Sequence, residues 1–295
     1  MRAACCATSP ESAGTERSAV TPDRRLIINA DDFGLSPGVN AGILKAVRAG
    51  IVTSISVMVN TPAFDAGMRA LADVSPAPSV GLHLNLTAGT PLSPSDSVAS
   101  LVDRAGRFHS LAALARRAAL GLVRGDDVER ETRAQLARLR ERWPGVTHLD
   151  GHQHAHALPG VWRAVLRAAA VRVFRRPIEP AFLPGRPGTI KRAVLGLVFR
   201  VSGGAAGAVR VRGIGMHGDR NYLDELLRVI DELPEGITEL IVHPGCADAT
   251  VRALDSYDAP REQELAALLS LELRGRLGRK DVGLTSFADE TPLTA

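Results

Sequence analysis

Apolar positions along the chain recur with two periods, one typical of strands and one typical of helices. An apolar run over residues 26–30 predicts a buried strand, and apolar residues then recur at helical spacing over 39–47. Ser36, which is followed by a proline, supplies a helix-start signal, and Gly50 supplies a stop signal. The chain therefore opens with a predicted strand followed by a predicted helix.

The same two patterns alternate through the rest of the chain. Strands are predicted near 55–59, 80–86, 146–150, 171–174, 237–243 and 281–287, and helices near 127–143, 159–170, 223–233 and 261–269. This alternation indicates a parallel sheet, either closed as a barrel or open as a doubly wound sheet. The predicted fold class is α/β, with residues 25–290 as one domain.

Composition is that of a globular chain with a sizeable core, because 45% of the 295 residues are hydrophobic and 23% are charged. The net charge of +4 comes from arginine, acidic residues are spread evenly, and aromatic residues make up only 4%. These features do not favour nucleic-acid binding, so no nucleic-acid partner is expected. One stretch, 163–212, is rich in arginine and contains Glu179 as its only acid.

The first 24 residues contain no long apolar run and predict a disordered tail. The three cysteines, Cys5, Cys6 and Cys246, give no disulfide framework, which fits a reducing compartment. Neither a secretory signal nor a membrane span of about 20 apolar residues is recognisable. A cytoplasmic location is therefore expected.

Polar residues lie at the carboxyl ends of four predicted strands: Asp31 and Asp32, His83, His152, and His243. In a parallel barrel these ends converge on one mouth, where active sites are built. One carboxylate and two imidazoles can hold a divalent cation and leave a position open for water. The pattern indicates a metal-dependent hydrolase of amides or esters.

Each of these residues also has a purely structural explanation. The paired aspartates could cap the turn after the first strand, and His83 could be a hydrogen-bonded core histidine. The histidines of "HLDGHQHAH" share one side only if that segment is extended, and they could lie in a surface loop. His243 alone is weak evidence, so the prediction depends on the occurrence of all of them at the barrel mouth.

The motifs "LIINADDFGLSPGVNAGI", "GIVTSISVMVN", "GLHLNLT", "THLDGHQHAH", "VRV" and "VHPG", in this order, resemble the YdjC-like (ChbG/HpnK-type) carbohydrate deacetylase family. The resemblance runs from about residue 25 to residue 289. It implies a distorted (β/α) barrel similar to polysaccharide deacetylases and one divalent ion, which is Zn, Mg, Mn or Co. The implied reaction removes an acetyl group from an N-acetylated amino sugar, such as a chito-oligosaccharide, glycan or lipid-linked sugar.

The resemblance also implies a role for each residue at the barrel mouth. The metal ligands would be Asp32, His83 and His152. Asp31 would be the general base that accepts a proton from water, and His243 would protonate the leaving amine. These roles fit the proton affinities of the residue types.

Further residues are expected around this site. The expected supports of the ligand rings are His148, Asp150, His154 and His156. Asn85, on the polar face of its predicted strand, and Arg172 are expected to bind substrate. Arg172 stands in "VRVFRRPIEP", where three residues are interposed before the proline of an expected Arg-x-Pro motif, and the extra arginines could grip a phosphate or carboxylate.

Several alternatives stay open at this point. The same metal chemistry serves an O-acetyl esterase or a phosphoesterase, and the barrel could be a non-catalytic sugar-binding protein. The stretches "LAALARRAALGLVRG" and "GTIKRAVLGLVFRVSGGAAGAVRVRG" are apolar and basic with no acid. They could be packed peripheral helices, or a surface that meets an amphiphilic sugar at an anionic membrane. A homodimer is also left open.

Overall fold

The computed structural model describes residues 22–179, 188–216, 218–255 and 257–290. Most of the predicted N-terminal tail, with Cys5 and Cys6, lies outside the described residues. The first strand begins at Arg24, so the predicted start of the domain near residue 25 falls at the first regular element of the described chain.

Eight parallel strands form one sheet: β1 Arg24–Phe33, β2 Ser54–Val57, β3 Ser79–Leu84, β4 Val146–Gly151, β5 Val173–Phe174, β6 Arg210–Arg212, β7 Gly236–Val242 and β8 Val282–Leu284. Their order is β5-β4-β3-β2-β1-β7-β6, and β8 pairs with the first residues of β1. Each predicted strand corresponds to one of these, and the short β6 was not predicted.

Helices connect most of the strands: α1 Pro37–Arg48, α2 Phe64–Ala72, α3 Leu111–Ala119, α4 Gly125–Arg142, α5 Val161–Ala168, α6 Thr189–Val201, α7 Tyr222–Asp231, α8 Ala249–Leu254, α9 Pro260–Leu268 and α10 Leu271–Arg279. Two short 3₁₀ segments occur at Ser95–Val98 and His152–Ala157. Helix α1 starts as the sequence predicts, since the Ser36 side chain accepts a hydrogen bond of 3.1 Å from the amide of Val39.

Strand β1 shows how the fold separates its core from its site. Leu26, Ile28 and Ala30 face the helices and belong to the main hydrophobic core. On the opposite face, Ile27 packs against Phe287 in a small separate cluster. Because side chains alternate along a strand, the next residues on that inner face are Asn29 and Asp31, so the interior of the sheet becomes polar towards its carboxyl end.

Strands β5 and β6 form the two edges of the sheet in the part of the chain that the structure describes. Helix α6 lies across both edges. Its Leu195 packs against the cluster of Trp162 and Phe199 on one side and against the cluster of Val211 and Ile241 on the other. The result is a distorted (β/α) barrel in one α/β domain, as the sequence predicts.

Candidate metal centre

The end of β1 directs two consecutive carboxylates into one pocket. Neighbouring residues of a regular strand point to opposite faces. Asp32, however, has a left-handed backbone with φ of 69°, and the pairing register with β2 shifts between Ala30 and Phe33. This irregularity turns Asp32 to the same side as Asp31, and both line the pocket. Aspartate is among the few non-glycine residues that tolerate this conformation.

Asp32, His83 and His152 meet at the carboxyl ends of β1, β3 and β4. Asp32 Oδ1 lies 3.2 Å from His83 Nε2 and 2.9 Å from His152 Nδ1. One donor atom from each of the three residues can be chosen so that all three atoms lie within 4.8 Å of one another. Ligand atoms about 2 Å from a shared zinc-like ion are separated by about 3 Å, so the spacing fits one cation.

Two further residues orient these donors. Asp150, paired in register with His83 on the neighbouring strand, has its Oδ1 atom 2.7 Å from His83 Nδ1. That contact leaves Nε2 of His83 facing Asp32. Arg261 donates to Asp32 Oδ2 at 2.7 Å, so Oδ1 remains for a cation. Partners of this kind fix ring orientation and carboxylate geometry in metal sites.

The buried charges around the pocket are unbalanced. Five buried carboxylates face two buried guanidinium groups: Asp31, Asp32, Asp150, Glu239 and Glu264 against Arg175 and Arg261. Burial acts to lower the pKa of His83, but attraction to Asp150 and Asp31 raises it to about 10. Burial acts to raise the pKa of Asp32, but Arg261 and His152 hold it well below its usual value. The surrounding carboxylates therefore favour the protonated, positively charged form of His83 in spite of its burial. A site that favours positive charge in this way fits a divalent ion.

A second trio of donors, Asp31, His83 and Asp150, also lies close together. Arg175 already supplies the positive charge there. Its Nη1 and Nη2 atoms donate to the two oxygens of Asp31 at 2.6 and 2.8 Å, and Nη2 lies 2.7 Å from Asp150 Oδ2. A cation in this trio would have to displace a buried guanidinium, so the Asp32 trio is the better candidate.

Arg175 is a functional candidate that the sequence analysis missed. The sequence pointed to Arg172, but the structure places Arg172 in the lining of a different cavity. Along β5, Val173 packs towards the interior with Phe287 and Phe174 packs outward against Trp162. The next inward residue is therefore Arg175. The sequence did contain a signal for Arg175, because Arg175, Arg176 and Pro177 themselves form an Arg-x-Pro motif.

Of the four expected ring supports, Asp150 is the one with a hydrogen bond to a ligand ring in the described chain. His148 points into the barrel, where Nε2 lies 3.2 Å from Ser56 Oγ and the ring stacks near Phe287. Burial lowers the pKa of His148 to about 3, so this ring is neutral. It supports the polar interior and does not touch the ligands.

The remaining histidines of the cluster diverge because the segment is not extended. Gln153 and His154 have left-handed φ values of 53° and 56°. His152 thereby reaches the ligand trio and His154 lines the pocket. His156 turns away, and its Nε2 lies 3.1 Å from the carbonyl oxygen of Arg175. The segment is therefore not extended, which was the condition for a shared face, and only its first histidine lies at the ligand trio.

The Asn85 side chain is fully engaged in a turn. Its amide group donates to Asn60 Oδ1 and to the carbonyl of Ala88, and its oxygen accepts from the amides of Thr87 and Ala88. An amide group has no further strong hydrogen-bonding capacity. Asn85 is also outside the pocket lining, so the structure does not bring this expected substrate ligand to the site.

His243 faces Asp31 from the end of β7. Its Nε2 atom lies 3.9 Å from Asp31 Oδ2 and its side chain is 16% exposed. Glu264 of α9 accepts from the His243 backbone amide at 2.6 Å, and Tyr257 packs edge-on against the imidazole. The pocket therefore holds the expected histidine, and Glu264 is a support that no sequence pattern indicated.

The cavity around these groups has a volume of about 350 Å³. Its lining combines the carboxylates and histidines with the apolar side chains of Leu111, Ile214 and Ile241. Lys191 of α6 adds a cation at the wall. A cavity of this size and mixed lining suits a small organic ligand such as a sugar unit.

Fold and site together define an α/β barrel protein with a candidate metal centre at the carboxyl ends of its strands. The family model for YdjC-like proteins matches residues 25–279, and the chain belongs to this family. A carbohydrate deacetylase of Brevibacillus brevis is 34% identical over 90% of this chain and 99% of its own length. One of Geobacillus stearothermophilus is 35% identical over 90% and 98%.

A solved structure supports the fold independently. A protein of Enterococcus faecalis V583, provisionally described as a cellobiose-phosphate cleavage protein, superposes with a TM-score of 0.73 at 23% identity. The match covers 90% of this chain and 98% of that one. Since the identity is low, the likeness extends to the fold alone.

Proposed function

We propose that this protein is a divalent-metal-dependent deacetylase that hydrolyses the acetamido group of an N-acetylated amino sugar. The observation that carries the proposal is the convergence of Asp32, His83 and His152 beside a second buried carboxylate and a histidine. Carbohydrate deacetylase is also the name carried by relatives that match nearly the whole chain.

Asp32, His83 and His152 would hold the ion. When bound, a divalent ion lowers the pKa of water and polarises a carbonyl oxygen, which are the two requirements of amide hydrolysis near neutral pH. Asp150 keeps the Nε2 atom of His83 directed at the centre, and Arg261 keeps one oxygen of Asp32 directed there. The protein thus arranges the donors before any ligand arrives.

Asp31 is proposed as the general base. Arg175 holds both of its oxygens and Asn29 donates to Oδ1 at 2.8 Å, so the carboxylate has one orientation. Burial raises the pKa of Asp31 above its usual value, although Arg175 opposes the shift. A base whose pKa lies closer to neutrality takes a proton from water more effectively.

His243 is proposed as the general acid. Its Nε2 atom is 3.9 Å from Asp31 Oδ2, so the acid and the base face one another across the pocket. In the reaction, water adds its oxygen to the acetyl carbon and gives a proton to Asp31. The carbon–nitrogen bond breaks while His243 donates a proton to the amine nitrogen, and acetate and the free amino sugar leave.

The experiment is a hydrolysis assay with zinc-loaded protein and a panel of N-acetylated chito-oligosaccharides, O-acetylated sugars and sugar phosphates. We expect acetate and free amine in equal amounts from N-acetylated sugars, loss of turnover in excess chelator, and recovery when a divalent ion is added. Acetate from O-acetylated sugars only, or phosphate release without acetate, would reject the proposal.

A further inference from the structure

Helix α6 carries an exposed apolar stripe. Ile190, Val194, Leu197 and Val201 follow one another at intervals of four, three and four residues, and they are 80, 56, 62 and 71% exposed. They account for four of the nine large apolar side chains that are exposed in the described residues. This spacing puts them on one side of the helix, where a packed helix would carry polar residues.

The neighbouring side of α6 is cationic. It forms one wall of a cavity of about 580 Å³ whose lining includes Arg176, Arg200 and Arg210. Glu179 is the only acidic residue in that lining, and its carboxylate accepts from the amides of Gly213 and Gly215. Residues 188–213 contain no acid, and arginines outnumber acidic residues in this lining by five to one, so this face carries an excess of positive charge beside the apolar stripe.

The stripe begins next to the catalytic pocket. Ile190 is adjacent in sequence to Lys191, which lines that pocket. Helix α3 borders the same pocket through Leu111, and just beyond its main body Leu120 and Leu122 are 67 and 50% exposed. Both apolar and basic stretches noted in the sequence therefore reach the wall of the candidate metal centre near their first residues, through Leu111 and Lys191.

The positive charge beside the stripe indicates which kind of partner this face can bind. A second copy of this chain packed through α6 would bring like charges together, which disfavours a symmetric dimer through this face. An apolar stripe flanked by arginines instead matches an anionic lipid surface, where the apolar side enters the acyl boundary and the cations meet phosphates. In the residues that the structure describes, every helix is too short or too polar to span a bilayer.

We propose that α6 and the arginines beside it dock on an anionic phospholipid surface, with the entrance of the catalytic pocket next to the lipid. The helix lies flat against the headgroups, with Val194 and Leu197 at the centre of the contact. This proposal does not rest on the reaction assigned to the pocket.

Vesicle co-sedimentation of the full chain tests the proposal. At low salt we expect binding to vesicles of phosphatidylglycerol and phosphatidylcholine, weak binding to phosphatidylcholine alone, and loss of binding as salt is raised. Leu197→Ser should weaken partitioning about tenfold and Arg200→Gln about fivefold. Leu271→Ser, at a leucine that is 82% exposed on α10, and Arg104→Gln are the matched controls, and neither should change binding.

Three results would overturn the proposal. The first is wild-type protein that stays in the supernatant with anionic vesicles at low salt. The second is a loss of binding in Leu271→Ser equal to that in Leu197→Ser. The third is a self-associating wild type that Leu197→Ser converts to monomers without any vesicle binding, which would assign the stripe to contacts between copies. Leu197→Ser should keep wild-type turnover of a soluble sugar, so a failure here is distinguishable from a failure of the proposed deacetylase.

Discussion

Asp31→Asn is expected to lower kcat about 10²–10⁴-fold, because asparagine keeps the shape of the side chain but cannot accept the proton from water. Asp31 is 2% exposed and held by two hydrogen bonds from Arg175. The asparagine oxygen can still accept one of these two hydrogen bonds, and Arg175 keeps its contacts with Asp150 and Glu239, so the variant should fold. The assay is acetate release at saturating N-acetylated sugar, with bound zinc measured on the same sample.

The matched control is Asp126→Asn, an exposed aspartate in the first turn of α4. It should retain wild-type turnover. An Asp31→Asn protein that contains zinc, is folded, and turns over within a few-fold of wild type would contradict the assignment of Asp31 as the base. A variant that loses its zinc would instead place Asp31 among the metal ligands.

Arg175→Met is expected to lower the free energy of unfolding by about 3–5 kcal/mol, the range observed when one partner of a buried ion pair is removed. Arg175 is 2% exposed. Its guanidinium contacts Asp31, Asp150 and Glu239 at 2.6–2.7 Å. Methionine fills much of the volume but leaves these carboxylates without their cation. Chemical denaturation measures the loss, which is a large share of the stability of an ordinary domain.

Arg176→Met is the control for this change. Arg176 is the next residue, partly exposed, and its guanidinium donates to the backbone carbonyl of Ala206 at 3.3 Å. Its replacement should cost less than about 1 kcal/mol. If Arg175→Met is too unstable to purify, adding Glu239→Gln should restore part of the stability, since it removes one unpaired carboxylate. Equal stabilities of Arg175→Met and wild type would show that the interior charges do not depend on Arg175.

Sequence patterns predicted the parts of the fold that follow from local rules. The apolar periodicity located each long strand, and Ser36 with its proline located the start of α1. The rule that parallel strands end at one mouth brought together Asp31, Asp32, His83, His152 and His243, and the structure places all five in one pocket. A slip of one residue in any of these strands would have turned its side chains to the opposite face.

The partners of these residues were not predictable in the same way. Arg261 and Glu264 lie near the start of α9, where charged residues normally face water, and Arg261 reaches Asp32 across 229 positions of sequence. Such contacts depend on how a helix packs and not on its own pattern. The left-handed backbone of Gln153 and His154 has no signal in the sequence either, so the sequence left open whether the histidine cluster would be extended.

Helix α6 shows a further limit of periodicity. Its sequence indicated an apolar and basic segment but did not indicate which side of the helix would be buried against the rest of the protein. In the structure, Leu195 and Phe199 pack against the clusters beside the edge strands β5 and β6. The opposite side of the helix, which carries the apolar stripe, therefore stays exposed. The exposure of the apolar stripe on α6 therefore follows from the way this helix packs on the open edges of the barrel.

The metal content of the purified chain tests the central claim most directly. After incubation with zinc and removal of unbound ions, mass spectrometry should find one zinc ion per wild-type chain and per Asp31→Asn chain. Asp32→Asn and His152→Gln should contain almost none while remaining folded by circular dichroism. Wild-type protein that retains no divalent ion, or an Asp32→Asn variant that retains a full ion, would contradict the assignment of Asp32, His83 and His152 as the metal centre.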